Sequence, residues 1–106
     1  MASSLKELQE KDFNDIIKLK KNAVIEFGAP WCAACKLTEP IICEVEKSNS
    51  NISFAKVDVG KSPGLASRMG VMSLPNVLII KAGKVVDQII GAASKKVLEE
   101  KISKIK

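Results

Sequence analysis

Two cysteines three residues apart, in Cys32-Ala33-Ala34-Cys35, are the residues of this chain best suited to chemistry. A CxxC pair occurs in half-sites for zinc, in iron–sulfur segments and in dithiols that exchange with disulfides. A closed structural zinc site takes four ligands; with no histidine present and only Cys43 as a further cysteine, such a site cannot be completed within one chain. A metal shared by the CxxC pairs of two chains is the remaining metal option. A disulfide framework of the secreted type is excluded too, because one bridge leaves a thiol over. What remains for a single chain is redox chemistry or a chance pair.

The pair sits directly after Gly28-Ala29-Pro30-Trp31, where a strand passes into a helix. Free N–H groups and the dipole at a helix N-terminus stabilise negative charge, so Cys32 is expected to ionise more readily than a free thiol. The i, i+3 spacing puts Cys35 on the same side of the first turn, within reach of a mixed disulfide formed at Cys32. Cys32 is therefore the attacking sulfur and Cys35 the resolving one. Cys43 lies further down the same helix, roughly 16 Å beyond Cys32 at 1.5 Å per residue. It reads as a small buried apolar residue outside catalysis.

The elements that must hold this pair follow from the apolar pattern. Leu5 to Leu8 is a short edge strand, and Asp12 to Leu19 places Phe13, Ile16 and Ile17 at helical spacing. Ala23 to Phe27 is an almost continuously apolar strand, as expected where both sheet faces are covered, with Glu26 its one exception. From Cys32 to about Ser48 a helix carries Leu37, Ile41 and Val45 as a core-facing stripe, and Pro40 kinks it without ending it. Ile52 to Val57 is a second buried strand, and Pro63 to Met69 a short helix. Val77–Ile80 and Val85–Ile90 form a hairpin through Lys81-Ala82-Gly83-Lys84. A last helix starts at Ser94 as N-cap and turns Val97, Leu98, Ile102 and Ile105 to one side. The order βαβαβαββα predicts an α/β fold: a mixed sheet of about five strands with about four helices on its two faces.

The chain has 106 residues, 46% apolar and 27% charged, which fits one domain over 1–106 and excludes a disordered or collagen-like polymer. No apolar run approaches the ~20 residues of a membrane span. The first residues, Met1 to Glu7, show no cationic start followed by an apolar run, so a soluble cytoplasmic protein is the expectation. Seventeen Lys and Arg against twelve Asp and Glu give a formal charge of +5. The cations are spread over every segment and tyrosine is absent, so they read as solvated helix faces rather than a nucleic-acid surface.

Glu26-Phe27-Gly28-Ala29-Pro30-Trp31-Cys32-Ala33-Ala34-Cys35-Lys36, Pro40, Ala55-Lys56-Val57-Asp58, Leu74-Pro75-Asn76 and Lys81-Ala82-Gly83-Lys84 together resemble the thioredoxin family. The resemblance spans nearly the whole chain, with these motifs in family order. It implies the thioredoxin fold and a monomeric protein-disulfide reductase with no cofactor beyond its Cys32–Cys35 disulfide. Its partners would be disulfide-containing proteins and a thioredoxin reductase. Pro75 matches the family's cis proline beside the sulfurs; Leu74 would offer backbone hydrogen bonds to an extended substrate. Trp31, Ala33, Gly91 and Ala92 would line the docking surface around Cys32. Glu26 matches the family's buried carboxylate, usually Asp, which takes the proton of Cys35, and Lys56 matches the lysine that tunes it. Asp58 and Lys36 read as surface charges.

The chain departs from the family in three places. Ala33-Ala34 stands where thioredoxins most often carry Gly-Pro, and alanine's higher helix propensity makes the first turn more regular, which alters the balance of thiolate and disulfide. Glu26 is one methylene longer than Asp. Gly28 stands where many relatives have Trp, which opens space under the active-site loop. Two alternatives accompany the reductase: a dithiol oxidase or isomerase of atypical potential, favoured by Ala33-Ala34, and a non-catalytic interaction module built on the same fold.

Overall fold

In the computed structural model, which describes residues 5–106, the elements come in the predicted order. Strands β1 (Lys6–Glu7), β2 (Ala23–Gly28), β3 (Ser53–Asp58), β4 (Asn76–Lys81) and β5 (Lys84–Ile90) are joined by helices α1 (Glu10–Lys18), α2 (Ala33–Glu46) and α3 (Pro63–Arg68). Helix α4 (Lys95–Ile102) and a 3-10 turn over Ser103–Ile105 follow the last strand. The sheet order is β1-β3-β2-β4-β5, with β1 and β2 parallel to β3, β4 antiparallel to β2, and β5 antiparallel to β4. This is the thioredoxin fold. Of the Met1–Glu7 stretch read for a leader, Met1 to Ser4 lie outside the described residues.

Strand alternation decides what faces what, because successive side chains point to opposite faces. Ala23, Ile25 and Phe27 of β2 pack with Phe13 and Ile16 of α1 and with Leu65 and Ala66 of α3. Val24 packs on the other face with Ile42 and Val45 of α2 and Leu98 and Ile102 of α4. Every residue of β2 is buried, as its near-continuous apolar run requires. Glu26 and Gly28 share the parity of Val24 and so face α2; on β3, Lys56 and Asp58 share the parity of Phe54, which packs on that face. The register sets Glu26 beside Lys56 and Gly28 beside Asp58. Charged residues of both strands are thereby aimed at one helix.

Helix α1 begins at Glu10, two residues before the predicted start, because the Asp12 carboxylate accepts the Gln9 backbone N–H at 3.0 Å and caps the earlier turn. Helix α2 runs through Pro40, but its core face differs from the predicted one. The buried residues are Cys35, Thr38, Ile42 and Val45; Ile41 is half-buried and Leu37 is 71% exposed. A four-residue step overshoots a full turn by about 40°, so Leu37, Ile41 and Val45 drift round the helix, whereas steps of three, four and three hold one face. That face carries Cys35 inward.

The β4–β5 hairpin turns on Ala82 and Gly83, with φ of 50° and 77°, the positive pair that a two-residue turn of matching twist needs. Asn22 accepts the Ala82 N–H at 2.8 Å and donates to the Ile105 carbonyl at 2.8 Å, tying the hairpin to the end of the last helix. Ser94 caps α4 as predicted, accepting the Val97 N–H at 3.2 Å. Leu98, Ile102 and Ile105 are buried while Val97 lies at the margin of the face.

Asp87 of β5 receives Lys101 at 2.9 Å and Lys104 at 2.8 Å, clamping α4 and its 3-10 extension to the sheet. Hydrogen bonds from Lys104, Lys101 and the Gln88 backbone hold its carboxyl well below the ordinary value of 3.8. A carboxyl depressed on folding stabilises the fold above its unfolded value, and that contribution is lost as pH falls below about 3.8. Asp87→Asn is therefore expected to lower stability near pH 7 by about 1 kcal/mol. The deficit should shrink below pH 4, as read by urea unfolding at both pH values.

Candidate active site

Strand β2 runs out at Gly28, and the loop that follows delivers Cys32 as the N-cap of α2. Cys32 has extended backbone angles, φ −91° and ψ 106°, and its Sγ accepts the Cys35 backbone N–H at 3.1 Å. Sulfur thus fills the place that an oxygen usually takes at a helix start. The sulfurs of Cys32 and Cys35 are joined as a disulfide, with Cα atoms 5.2 Å apart. Their surroundings differ: Cys32 is half-buried and meets solvent, whereas Cys35 has no exposed surface. Cys43, half-buried against the core, stands outside the disulfide.

Beneath the disulfide lies Glu26, itself fully buried. Neither carboxyl oxygen receives a hydrogen bond from a protein N–H or hydroxyl. Loss of hydration raises the free energy of its charged form, the Glu39 carboxyl adds repulsion, and Lys56 opposes them; the balance pushes Glu26 from 4.5 up to about 8. Lys56, the rung partner of Glu26, reaches across to Glu39 of α2 with Nζ 3.4 Å from Oε1. Gly28 closes the gap between carboxyl and sulfur: a Cβ there would stand 3.0 Å from the Cys35 Sγ and 3.5 Å from Glu26 Oε1. An open cavity of about 220 Å³ reaches this point from the surface, with Glu26, Gly28, Lys36, Glu39, Lys56 and Asp58 on its walls. Gly28, where space was expected, is one of the residues on the wall of this cavity.

The residues expected to meet a substrate cluster at the same end of the sheet. Phe27 of β2 is in register with Asn76 of β4, and Asn76 with Ile90 of β5, so Pro75 and Gly91 lie just beyond those rungs. The Gly91 N–H donates to the Pro75 carbonyl at 2.8 Å. The Leu74–Pro75 peptide bond is cis. Pro75 is buried, Leu74 and Gly91 are half-buried, and Ala33 and Ala92 are exposed. Trp31 is 71% exposed, with its ring lying over Gly60, where a Cβ would stand 3.3 Å from the indole. Asp58 holds that turn by accepting the Gly60 N–H at 2.8 Å.

Sequence reasoning missed Glu39, which lines the cavity above Glu26; Lys36, exposed, and Asp58, half-buried, were read as surface charges and also stand on its walls. The signal for Glu39 was its position four residues after Cys35, one helical turn further along the face that looks onto the sheet. Among the described residues no group of three or more His, Cys, Asp or Glu is placed to hold a metal ion. Chemically, the site offers one sulfur to a partner, hides the second, and sets a protonatable carboxyl behind it.

Comparison with known proteins gives a consistent set. The thioredoxin family model matches residues 4–104. Thioredoxin H2 of Arabidopsis thaliana is 36% identical over 94 residues, covering 89% of this chain and 70% of the plant protein. The thioredoxin of Chlorobaculum thiosulfatiphilum is 36% identical over 98 residues, 91% of each chain. Among solved structures, oxidized mitochondrial thioredoxin 3 from Saccharomyces cerevisiae superposes with a TM-score of 0.87 at 31% identity, covering 95% of both chains.

Proposed function

Since the chain belongs to the thioredoxin family and is a thiol–disulfide oxidoreductase, we propose that it works as a reductant of protein disulfides, with Cys32 attacking and Cys35 resolving. The observation that carries this reading is the asymmetry of the pair: Cys32 meets solvent at the helix N-cap, and Cys35 is sealed above the Glu26 carboxyl. In the reduced protein the N–H groups of the first turn favour a Cys32 thiolate. That thiolate attacks a target disulfide, forming a bond to one target sulfur while the other leaves as thiolate. Cys35, having lost its proton to Glu26, then attacks the Cys32 sulfur. The Cys32–Cys35 bond forms, the mixed disulfide breaks, and the second target sulfur leaves. Two electrons have passed from the cysteine pair to the target.

Thioredoxins are returned to the dithiol by a thioredoxin reductase and use no cofactor beyond the redox disulfide; the same cycle is proposed for this chain as a single monomeric unit. Lys56 tunes Glu26 from the neighbouring strand. Trp31, Ala33, Leu74, Pro75, Gly91 and Ala92 form the surface on which an extended target segment settles, its backbone pairing in the manner of an added strand. A reductant of this type suits a compartment kept reducing, and the cytoplasm is the assignment proposed.

Insulin reduction by dithiothreitol tests the proposal. Catalytic amounts of the protein are expected to bring forward the precipitation of the insulin B chain, and a time course matching dithiothreitol alone refutes the reductase reading. Ala33-Ala34 favours the oxidase alternative, which equilibration with glutathione decides: a strongly oxidising pair would stay reduced in buffers where a thioredoxin-type reductant is already a disulfide.

A further inference from the structure

Glu26 accepts the Cys35 proton only when it is ionised, and burial works against that. The structure supplies a route for relieving it. Glu26 is fully buried, both its oxygens lack an N–H or hydroxyl donor, and it borders the cavity that opens to solvent between β2, β3 and α2. A proton on Glu26 needs an acceptor, and the carboxyl that shares with it both this cavity and the neighbouring Lys56 is that of Glu39. Glu39 is itself anchored by Lys56 at 3.4 Å and is 15% exposed, so it lines the same cavity as the buried acid and also meets its open side. The space is more than wide enough for water.

We propose that Glu39 is the proton outlet of the resolving step: Glu26 and Glu39 form a carboxyl pair that holds one proton, and the proton leaving Cys35 passes through Glu26 to Glu39 and out through the cavity beside Gly28. This rests on the reading of Glu26 as base to Cys35. The balance is one proton leaving the thiol and one reaching solvent, with no change of oxidation state at either carboxyl. Glu39 does not touch the sulfurs and acts through Glu26, so it is a positioning residue. The other groups facing Glu26 are Cys35, Lys36 and Cys43 from α2, Lys56 and Asp58 from β3, and Glu7 from β1. Lys56 is the cation among them that opposes the effect of Glu39.

Two readouts on the full chain separate the outlet from a merely structural role. The first is the carboxyl titration of Glu26 in the oxidised protein, followed by carbon NMR. Removing the Glu39 charge in Glu39→Gln is expected to move the Glu26 midpoint down by about one pH unit, and Lys56→Met to move it up. The second is the rate at which Cys35 resolves a mixed disulfide at pH 7. It is expected to slow by at least about tenfold in Glu39→Gln, which cannot carry a proton, and to recover in Glu39→Asp. A Glu26 titration unmoved by Glu39→Gln overturns the pair. A moved titration with an unchanged resolving rate overturns the outlet. Glu26→Gln resolving as fast as the native protein overturns the base reading itself, and the outlet with it, while the titration still reports on the pair.

Discussion

Cys35→Ser is expected to stop the reaction halfway: Cys32 still attacks, the target stays joined to it, and turnover in the insulin assay falls to the rate of dithiothreitol alone. Cys32→Ser is expected to lose turnover as completely but to trap nothing, because Cys35 has no exposed surface from which to meet a target. The native pair provides an intramolecular resolving step that replaces an encounter in solution, and such arrangements are worth effective concentrations of 10⁵ M and more when well oriented. The loss in either variant should therefore exceed about a thousandfold. Non-reducing electrophoresis of each variant incubated with a disulfide-bonded protein checks both halves. A stable adduct with Cys32→Ser, or none with Cys35→Ser, would reverse the assignment of the two sulfurs.

Replacing Glu26 by Gln should make the fold more stable while impairing its chemistry. The native carboxyl binds its proton up to about pH 8, whereas the unfolded chain releases it near 4.5. Between those values the folded state holds more protons, so stability is lost as pH rises through that window. Gln keeps the shape of the protonated acid and does not titrate. The variant should match the native protein near pH 4 and exceed it by about 3 kcal/mol at pH 7, each pH unit being worth about 1.4 kcal/mol. Urea unfolding of the oxidised proteins at the two pH values reads the difference directly. A gap that does not change with pH would remove the buried charge as its cause. Stability set against activity at a single residue is the pattern expected of a group placed for reaction rather than for folding.

Much of this was legible from residue types alone. The apolar run around Glu26, the Gly28–Trp31 turn, the cysteine spacing and the Ala82-Gly83 hairpin are local signals, and each element they predict is present in its predicted order. The face of α2 was not legible, since Leu37 and Ile42 are equally apolar and only the position of the sheet decides which is covered; Leu37 ends 71% exposed. Glu39 was missed for a related reason. A carboxylate on a helix with Lys36 and Lys47 nearby reads as a solvated charge, and nothing in the sequence says that Lys56, seventeen residues on, arrives 3.4 Å from it. The packing of α2 across the sheet joins them, and that packing is a property of the assembled fold.

The unequal exposure of the two sulfurs also bears on how the protein survives oxidants. Peroxide arriving from solvent meets Cys32 and not Cys35, so the first product is a sulfenic acid on Cys32. That group sits one helical turn from a thiol sheltered from the same attack. Condensation to the disulfide consumes the sulfenic acid before a second oxidation can carry it to the irreversible sulfinic state. The buried cysteine thus returns an oxidatively damaged site to the disulfide that the ordinary catalytic cycle already handles, and the protein can meet peroxide without losing its function.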